Sequence, residues 1–291
     1  MPGLCDKVRR HCAEVAARAR WVRIDLDAAK AIETGPEPTL DPEHHYLEGS
    51  REDVATYLLT LDAINFGSGW FPTLRKRPGC SGYYTIASEL ANRFRRHGPW
   101  TPAELARLEP PDLAVVLQQD PRHELMSLYA RALRELGGFL AGRGALQAVE
   151  AARGSAERLA EQLAAGMPLF DDVGFWKRAQ ITANDLALAR VVEFDDIDRL
   201  TIFADNVVPH VLRMDGVLVY EERLAAHIDS GELLPPGHEE REIRACAVHA
   251  CEAIAAALSL APRVLDVMLW NRGQAPRYKA VPRHRTRTVY Y

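Results

Sequence analysis

One acidic residue, Asp205, stands inside an apolar segment of the chain. The segment reads LTIFADNVVPHVLR over residues 200–213, and eight of its first twelve residues are apolar. A carboxylate removed from water interacts strongly with positive charge that develops beside it, so Asp205 is a candidate for stabilising a cationic transition state. Two simpler roles stay open, because an isolated Asp also caps helices or pairs with an Arg.

Residues that bind metal ions do not cluster in the sequence. The five cysteines include no Cys-x-x-Cys pair, and Cys246 and Cys251 are five residues apart on a predicted helix, where they do not share a face. The side chains of the adjacent pair His44 and His45 point apart. The acids in residues 195–198 are typical of a helix N-terminus. We therefore predict no metal site, and a thiol nucleophile stays open.

Charge is distributed unevenly along the 291 residues, whose formal net charge is −4. Residues 267–291 contain six of the 36 Lys and Arg residues and no acid, so the other 266 residues hold 30 basic against 40 acidic side chains. This distribution argues against a duplex-DNA-binding protein and favours a local anion site in the basic segment. Aromatic residues alternate with its cations, which predicts that the segment is ordered.

The sequence also indicates the cellular compartment of the protein. It has no stretch of about 18 apolar residues that could span a membrane. Charges at residues 6–10 replace the apolar stretch of a signal peptide. We therefore expect a cytoplasmic protein with no membrane partner.

Helical patterns dominate and predict the elements that position these residues. Four long patterns occupy residues 6–20, 122–141, 145–165 and 242–258. Ser50 and Thr101 predict the N-caps of two further helices. These patterns predict a mainly α-helical fold, with a single domain over residues 1–291 and a basic C-terminal segment at 267–291.

Residues 214–220, MDGVLVY, have two interpretations. Their Asp-Gly pair is typical of a β-hairpin turn. Alternatively, a loop precedes a helix that contains Leu218, Leu224 and Ile228. The sequence does not decide between them.

Five segments together resemble one family, the queuosine salvage proteins, and their order and spacing match from about residue 40 onward. The segments are DAINFGSGWFP (62–72), FWKRAQI (175–181), LTIFADNVVPHVLR (200–213), EEREIRACAVHACEAI (239–254) and DVMLWNRGQAPRYKAVPRHRTRTVYY (266–291). The resemblance implies a fold similar to helical DNA glycosylases. It also implies hydrolysis of queuosine 5′-monophosphate to queuine and ribose 5-phosphate, for queuine salvage into tRNA modification, without a cofactor.

The resemblance also implies the catalytic residues. Asp205 would stabilise the oxocarbenium-like sugar cation that forms when an N-glycosidic bond breaks. Lys177 would keep Asp205 ionised or hold the phosphate, and Arg178 competes with it for either role. Phe203 would line the pocket beside Asp205.

The resemblance also implies the substrate-binding residues. The base is a flat 7-deazaguanine with an amino-cyclopentenediol arm, so aromatic stacking, amide hydrogen bonds and an acid for the ammonium group are expected. The stacking candidates are Phe66, Trp70, Phe71, Trp176 and Trp270. The polar candidates are Asn65 and Asn271 for the base edges, Asp62 and Asp266 for the ammonium, and His45 for sugar or base. The phosphate candidates are Tyr278, Lys279, Arg283 and His284.

Other functions remain to be separated from this one. A nucleic-acid base glycosylase would need a basic groove. A non-catalytic nucleotide-binding module would not need Asp205. A metal-dependent phosphohydrolase would need clustered ligands. We predict a small-molecule nucleotide as the partner and no duplex nucleic acid; the sequence leaves the oligomeric state open.

Overall fold

The computed structural model describes residues 2–32 and 35–291, and this part of the chain is mainly helical, which confirms the predicted fold class. Helices α1 to α7 are Leu4–Ala16, Arg51–Ala63, Gly82–His97, Pro102–Leu105, Pro110–Val116, Glu124–Phe139 and Ala145–Glu150. Helices α8 to α14 are Ala156–Gly166, Lys177–Leu188, Val208–Met214, Glu222–Asp229, His238–Leu258, Pro262–Arg272 and Pro276–Lys279.

Both predicted N-caps are confirmed. The Ser50 hydroxyl accepts a hydrogen bond from the backbone N–H of Asp53, and the Asp53 carboxylate accepts one from the backbone N–H of Ser50. Thr101 and Glu104 form the same reciprocal pair at the start of α4. Each pair satisfies N–H groups that a helix start leaves without intrahelical partners, and so fixes where the helix begins.

The helical pattern at 145–165 forms two helices, α7 and α8, instead of one. Arg153 and Gly154 lie between them with φ values of 51° and 73°, a left-handed conformation that interrupts a helix. The acids at 195–198 do not begin a helix of their own, apart from a short 3₁₀ turn at Ile197–Arg199. Asp196 instead accepts hydrogen bonds from the Ser155 hydroxyl and the Ala156 N–H, both at 2.6 Å, and so caps α8.

Two short antiparallel strands, β1 (Val22–Ile24) and β2 (Leu218–Tyr220), pair with Val22 opposite Tyr220. Of the two interpretations of residues 214–220, the hairpin is therefore wrong, because β2 pairs with a strand near the other end of the chain. The alternative was half correct. Leu218 belongs to β2, whereas Leu224 and Ile228 are buried residues of α11.

The basic segment is ordered, as predicted. The backbone N–H of Gly67 donates to the Tyr291 oxygen at 2.9 Å, and the side-chain amide of Asn206 donates to the His284 carbonyl at 3.0 Å. Gly69 permits this close packing, since a Cβ there would lie 2.5 Å from the carbonyl oxygen of Thr286. The segment therefore joins the loop after α2 to the loop before α10.

Within residues 2–32 and 35–291, no single helix has the length and apolar character needed to cross a membrane. Helices α12 and α13, bent by 107°, pass that test together by length and composition.

Candidate active site

A cavity of about 860 Å³ lies among α3, α9 and α13, the loops after α2 and before α10, and the basic segment. Thirteen of the eighteen candidate site residues line it: His45, Asn65, Phe66, Phe71, Lys177, Phe203, Asp205, Asp266, Trp270, Asn271, Tyr278, Lys279 and Arg283. The other five candidates lie outside it: Asp62, Trp70, Trp176, Arg178 and His284. The volume is in the range of small-molecule sites.

The loop that carries Asp205 is held by buried side chains from two other helices. The backbone N–H of Phe203 donates to the Asp266 carboxylate at 2.8 Å, and Arg244 of α12 donates through Nε to the Ala204 carbonyl at 2.9 Å. These contacts bind the backbone on the N-terminal side of Asp205. Its carboxylate is therefore fixed relative to α12 and α13.

Arg244 is itself held in place by charge. It is 1% exposed and donates to both carboxylate oxygens of Asp172, at 3.2 and 2.5 Å, and to Glu240 at 3.4 Å. The carboxylates of Asp172 and Glu240 outweigh burial and raise the pKa of Arg244, so the guanidinium stays charged. The loop before α10 thus depends on a buried ion pair.

We expect Asp172→Asn to destabilise the fold by about 3–5 kcal/mol, because it leaves a buried guanidinium without its main counter-charge. Urea denaturation measures this free energy of unfolding. Asp198→Asn is the matched control, since its partner Arg263 forms a surface ion pair and about 1 kcal/mol or less is expected. Equal losses of unfolding free energy in the two variants would show that the buried ion pair of Asp172 and Arg244 contributes no more than a surface pair.

Asp205 combines a capping role with a place on the cavity wall. Its Oδ1 accepts hydrogen bonds from the backbone N–H groups of Val207 and Val208, at 2.7 and 3.1 Å, at the start of α10. The alternative that Asp205 caps a helix is therefore confirmed. In the part of the chain that the structure describes, Asp205 forms no ion pair with an Arg, and its other oxygen, Oδ2, accepts no hydrogen bond. That oxygen is available for a ligand.

Lys177, the first residue of α9, is 5% exposed and lines the same cavity. Burial lowers the pKa of its amine, while the negative charges of Asp205 and Asp62 oppose that effect. Arg178 does not compete for its role. Its guanidinium lies between the rings of Phe66 and Phe170 and donates to backbone carbonyl groups, and the residue does not line the cavity.

Three further carboxyl groups are buried around Lys177. Burial raises the pKa of Asp62 to about 7, and raises those of Asp185 and Asp266 well above their ordinary value. Asp185 and Asp266 line the cavity, but Asp62 lies behind its wall. Asp185 was missed in the sequence analysis. Its spacing was a usable signal, because Lys177, Ile181 and Asp185 follow one another at i, i+4 and i+8 on one helix face.

Several predicted contacts are already satisfied within the protein. Both ring nitrogens of His45 are engaged, with the Asp41 carbonyl at 2.8 Å and the Tyr83 hydroxyl at 2.9 Å, so His45 positions Tyr83 more directly than it contacts a ligand. The Trp176 indole N–H donates to Asp171 outside the cavity, which corrects its assignment as a stacking residue. Trp70 likewise donates to Glu124 and does not line the cavity.

Aromatic residues concentrate at one side of the cavity. Trp270 packs edge-on against Tyr83 and Tyr84, with ring centroids 5.8 and 5.7 Å apart. Phe66 and Phe203 line the wall as predicted. The sequence analysis missed the two tyrosines, because a Tyr pair at a helix start carries no distinctive spacing.

Cations from the basic segment line another part of the cavity. Arg283 is largely enclosed, and burial lowers its pKa while the charge of Asp205 raises it. Its guanidinium forms no hydrogen bond or ion pair with residues 2–32 or 35–291. Lys279 is exposed at the edge, and Arg285, which was not predicted, also lines the wall. A guanidinium without a protein acceptor is suited to bind an anionic ligand.

Two of the four phosphate candidates require correction. The Tyr278 hydroxyl donates to Asp215 at 2.7 Å, so its donor is already used. His284 is 1% exposed, and neither ring nitrogen has a hydrogen-bond partner in the described ranges. Burial lowers the pKa of His284 to about 3, so the ring is neutral and packs against Tyr291. Arg283 and Lys279 remain as the cations of this group.

Thiol chemistry is not supported by the arrangement of the cysteines. Burial raises the pKa values of Cys12 and Cys246 to about 12, so these thiols are protonated and poorly nucleophilic. Cys80 is half-buried and is the one cysteine among the described residues that lines the cavity.

Comparison with known proteins decides the family. Residues 44–291 match the family described as Queuosine salvage protein. The chain belongs to the queuosine salvage protein family. All predicted site residues lie within the matched range, and the resemblance stated from the five segments is confirmed.

Individual members of the queuosine salvage family are similar in sequence to this chain over most of their length. A protein of Sphaerobacter thermophilus named queuosine 5′-phosphate N-glycosylase/hydrolase is 35% identical, with 95% of each chain covered. Proteins of the same name from Nematostella vectensis and Mus musculus are 30% and 27% identical, and cover 86% and 84% of this chain and 85% and 83% of their own.

Proposed function

We propose that this chain is an N-glycosyl hydrolase that cleaves queuosine 5′-monophosphate to queuine and ribose 5-phosphate. The observation that carries the proposal is the composition of one cavity. It combines Asp205 with a free carboxylate oxygen, a largely enclosed Arg283 without a protein acceptor, and an aromatic wall. Family membership supplies the substrate that these parts fit.

Asp205 acts on the sugar. Cleavage of the N-glycosidic bond moves positive charge onto the anomeric carbon and ring oxygen, and the free Oδ2 stabilises that charge. The Oδ1 bonds to Val207 and Val208 hold the carboxylate still, so little reorganisation accompanies the reaction. Oδ2 either accepts a proton from water or attacks the anomeric carbon itself. Either step requires Oδ2 to lie beside that carbon.

Lys177 acts on the reaction through Asp205. Its amine lies near Asp205, whose negative charge favours the ammonium form of the amine. In this scheme the carboxylate of Asp205 lies at the sugar and the ammonium group of Lys177 lies within the cavity wall.

The two ends of the nucleotide bind to different groups in the cavity. The phosphate pairs with Arg283, with Lys279 at the edge, and this remote contact holds the sugar over Asp205. The base stacks on the aromatic wall formed by Phe66, Phe203 and Trp270, and Asn65 and Asn271 read its polar edge. Its ammonium arm pairs with the buried carboxyl groups, of which Asp185 and Asp266 line the cavity.

The remaining assignments follow from the same site. We propose one domain over residues 1–291, in which the basic segment 267–291 completes the cavity. The partner is a small nucleotide and not duplex nucleic acid, and we expect the protein to act in the cytoplasm without a membrane partner. The similarity of fold to helical DNA glycosylases stays a prediction.

The direct test is product analysis by mass spectrometry. Purified protein is incubated separately with queuosine 5′-monophosphate, with queuosine and with duplex DNA. Queuine and ribose 5-phosphate from the nucleotide are the expected products. Base release from DNA would favour the nucleic-acid glycosylase, and no reaction with any substrate would favour a binding module.

Hydrolysis is expected to survive exhaustive dialysis against EDTA, because a cation beside the sugar would oppose the charge that develops there. Among residues 2–32 and 35–291, one group, Asp41, Glu43 and His44, brings three potential ligand atoms within 4.8 Å of one another, and both acids are exposed. Metal content is measured in parallel with the rate. Loss of activity that one equivalent of metal restores would contradict the Asp205 mechanism.

A further inference from the structure

Asp62 and Asp185 lie on two helices, α2 and α9, that pack against each other beside Lys177. Asp62 is fully buried. One of its oxygens accepts a hydrogen bond from Asn65 at 3.3 Å, and the other has no partner. Asp185 is 4% exposed, lines the cavity and accepts one side-chain bond, from Asn184 at 3.3 Å. Neither carboxyl group forms an ion pair within the described ranges.

The positive charges around Asp62 and Asp185 do not neutralise their two carboxylates. The charged and titratable groups that influence it are Lys177 and Arg178 from α9, Tyr57 from α2, Tyr83 from α3 and Asp266 from α13. Helix α6 contributes Tyr129, whose hydroxyl donates to a backbone carbonyl, and the acid of α7, Glu150, is exposed.

Arg178 offsets part of the negative charge of Asp62, but its guanidinium donates to backbone carbonyls and to neither carboxylate. Lys177 is shared with Asp205, and Asp266 adds a further negative charge. Burial raises the pKa of both Asp62 and Asp185, and the charge of Asp62 raises that of Asp185 further. Two buried carboxylates with one shared lysine favour retention of a proton.

We infer that the buried cluster of Asp62 and Asp185 retains a proton in the empty site and releases it when a cationic base binds. The inference rests on the proposed function, which supplies a base with an ammonium arm. The arm places its positive charge at the cavity face of Asp185. The retained O–H bond then breaks, the proton passes to the solvent, and both carboxyl groups become carboxylates. Asp62 is a positioning residue in this scheme, since it acts on the ligand through Asp185.

Binding is therefore linked to pH through the empty site. Below about pH 7 Asp62 holds a proton, which must leave before both carboxyl groups are carboxylates beside the ammonium. As pH rises through this range, the proton is already lost and affinity for the cationic base increases. At higher pH still, the ligand's own ammonium deprotonates and affinity falls again.

Titration calorimetry with queuine at pH 6.5 measures the released proton directly. The experiment is run in PIPES and in Bis-Tris, whose ionisation enthalpies differ, and the difference in observed heat counts protons. We expect wild type to release about 0.5 to 1 proton for each queuine bound. In Asp62→Asn, queuine still binds and fewer protons are released, because the charge that raises the pKa of Asp185 further is gone, whereas Asp198→Asn behaves like wild type. Binding without proton release in wild type would overturn the inference.

Two further measurements separate this inference from the proposed function. The neutral analogue 7-deazaguanine lacks the ammonium arm, and release as large as with queuine would contradict the scheme. Without any ligand, carbon-13 NMR of labelled Asp side chains should include a carboxyl signal that titrates near pH 7 and is absent in Asp62→Asn. If all Asp carboxyls were ionised at pH 6, the retained proton would not exist, whatever the substrate. If the NMR signal appeared but queuine did not bind, the proposed function would fail instead.

Discussion

Asp205→Asn is expected to lower kcat for queuosine 5′-monophosphate by about 10³-fold or more while the protein stays folded and binds substrate. The substitution removes the negative charge that stabilises the sugar cation and changes the shape of the side chain little. Asparagine retains an oxygen that can accept the N–H bonds of Val207 and Val208, so the cap on α10 is preserved. Single-turnover rates with bound substrate separate the chemical step from binding.

The capping role of Asp205 makes the choice of control important. Asp205→Ala removes charge and cap together, and a stability loss of about 1 kcal/mol should accompany its loss of activity. Asp198→Asn changes an exposed acid in the same way and should leave kcat unchanged. An Asp205→Asn enzyme with wild-type kcat would show that Asp205 is only a cap.

Arg283→Gln is expected to lower kcat/KM for the nucleotide by about 10- to 100-fold, the loss of one strong charge-assisted hydrogen bond to phosphate. Its effect on queuosine, which has no phosphate, should be small. Rates with both substrates give the ratio that reports on this contact. The largely enclosed position of Arg283 makes its charge more effective than that of an exposed side chain.

Lys279→Gln is the matched comparison, because Lys279 lines the same cavity but is exposed. We expect it to lower kcat/KM for the nucleotide less than tenfold, since water and salt screen its charge. Equal losses for queuosine and its 5′-phosphate in Arg283→Gln would place the phosphate elsewhere.

Helix positions could be predicted wherever the signal was local. The reciprocal bonds of Ser50 with Asp53 involve residues three apart, so the sequence contains all the information for that cap. The pairing of β2 with β1 could not be predicted in this way, because Val22 and its partner Tyr220 are separated by most of the chain. Asp196 capping α8 is a contact of the same long-range kind.

Motif resemblance selected residues that the fold brings to one cavity, among them Asp205, Lys177 and Arg283. Their individual roles stay predictions. The resemblance could not show that both nitrogens of His45 are already bonded or that Tyr278 donates to Asp215, because those partners are chosen by tertiary packing. Hydrogen-bond partners decide which side chains remain free for a ligand.

The loop that carries Asp205 has a consequence for synthesis of the protein. Its bonds to Asp266 and to the His284 carbonyl connect residues 63 and 78 positions apart in the chain. A growing polypeptide that has passed residue 205 therefore cannot yet hold the loop, and must wait until those later residues have left the ribosome. Closing such long loops is entropically costly and slow. The cavity around Asp205 should thus form late in folding, so nascent chains would neither bind a ligand there nor be protected by one.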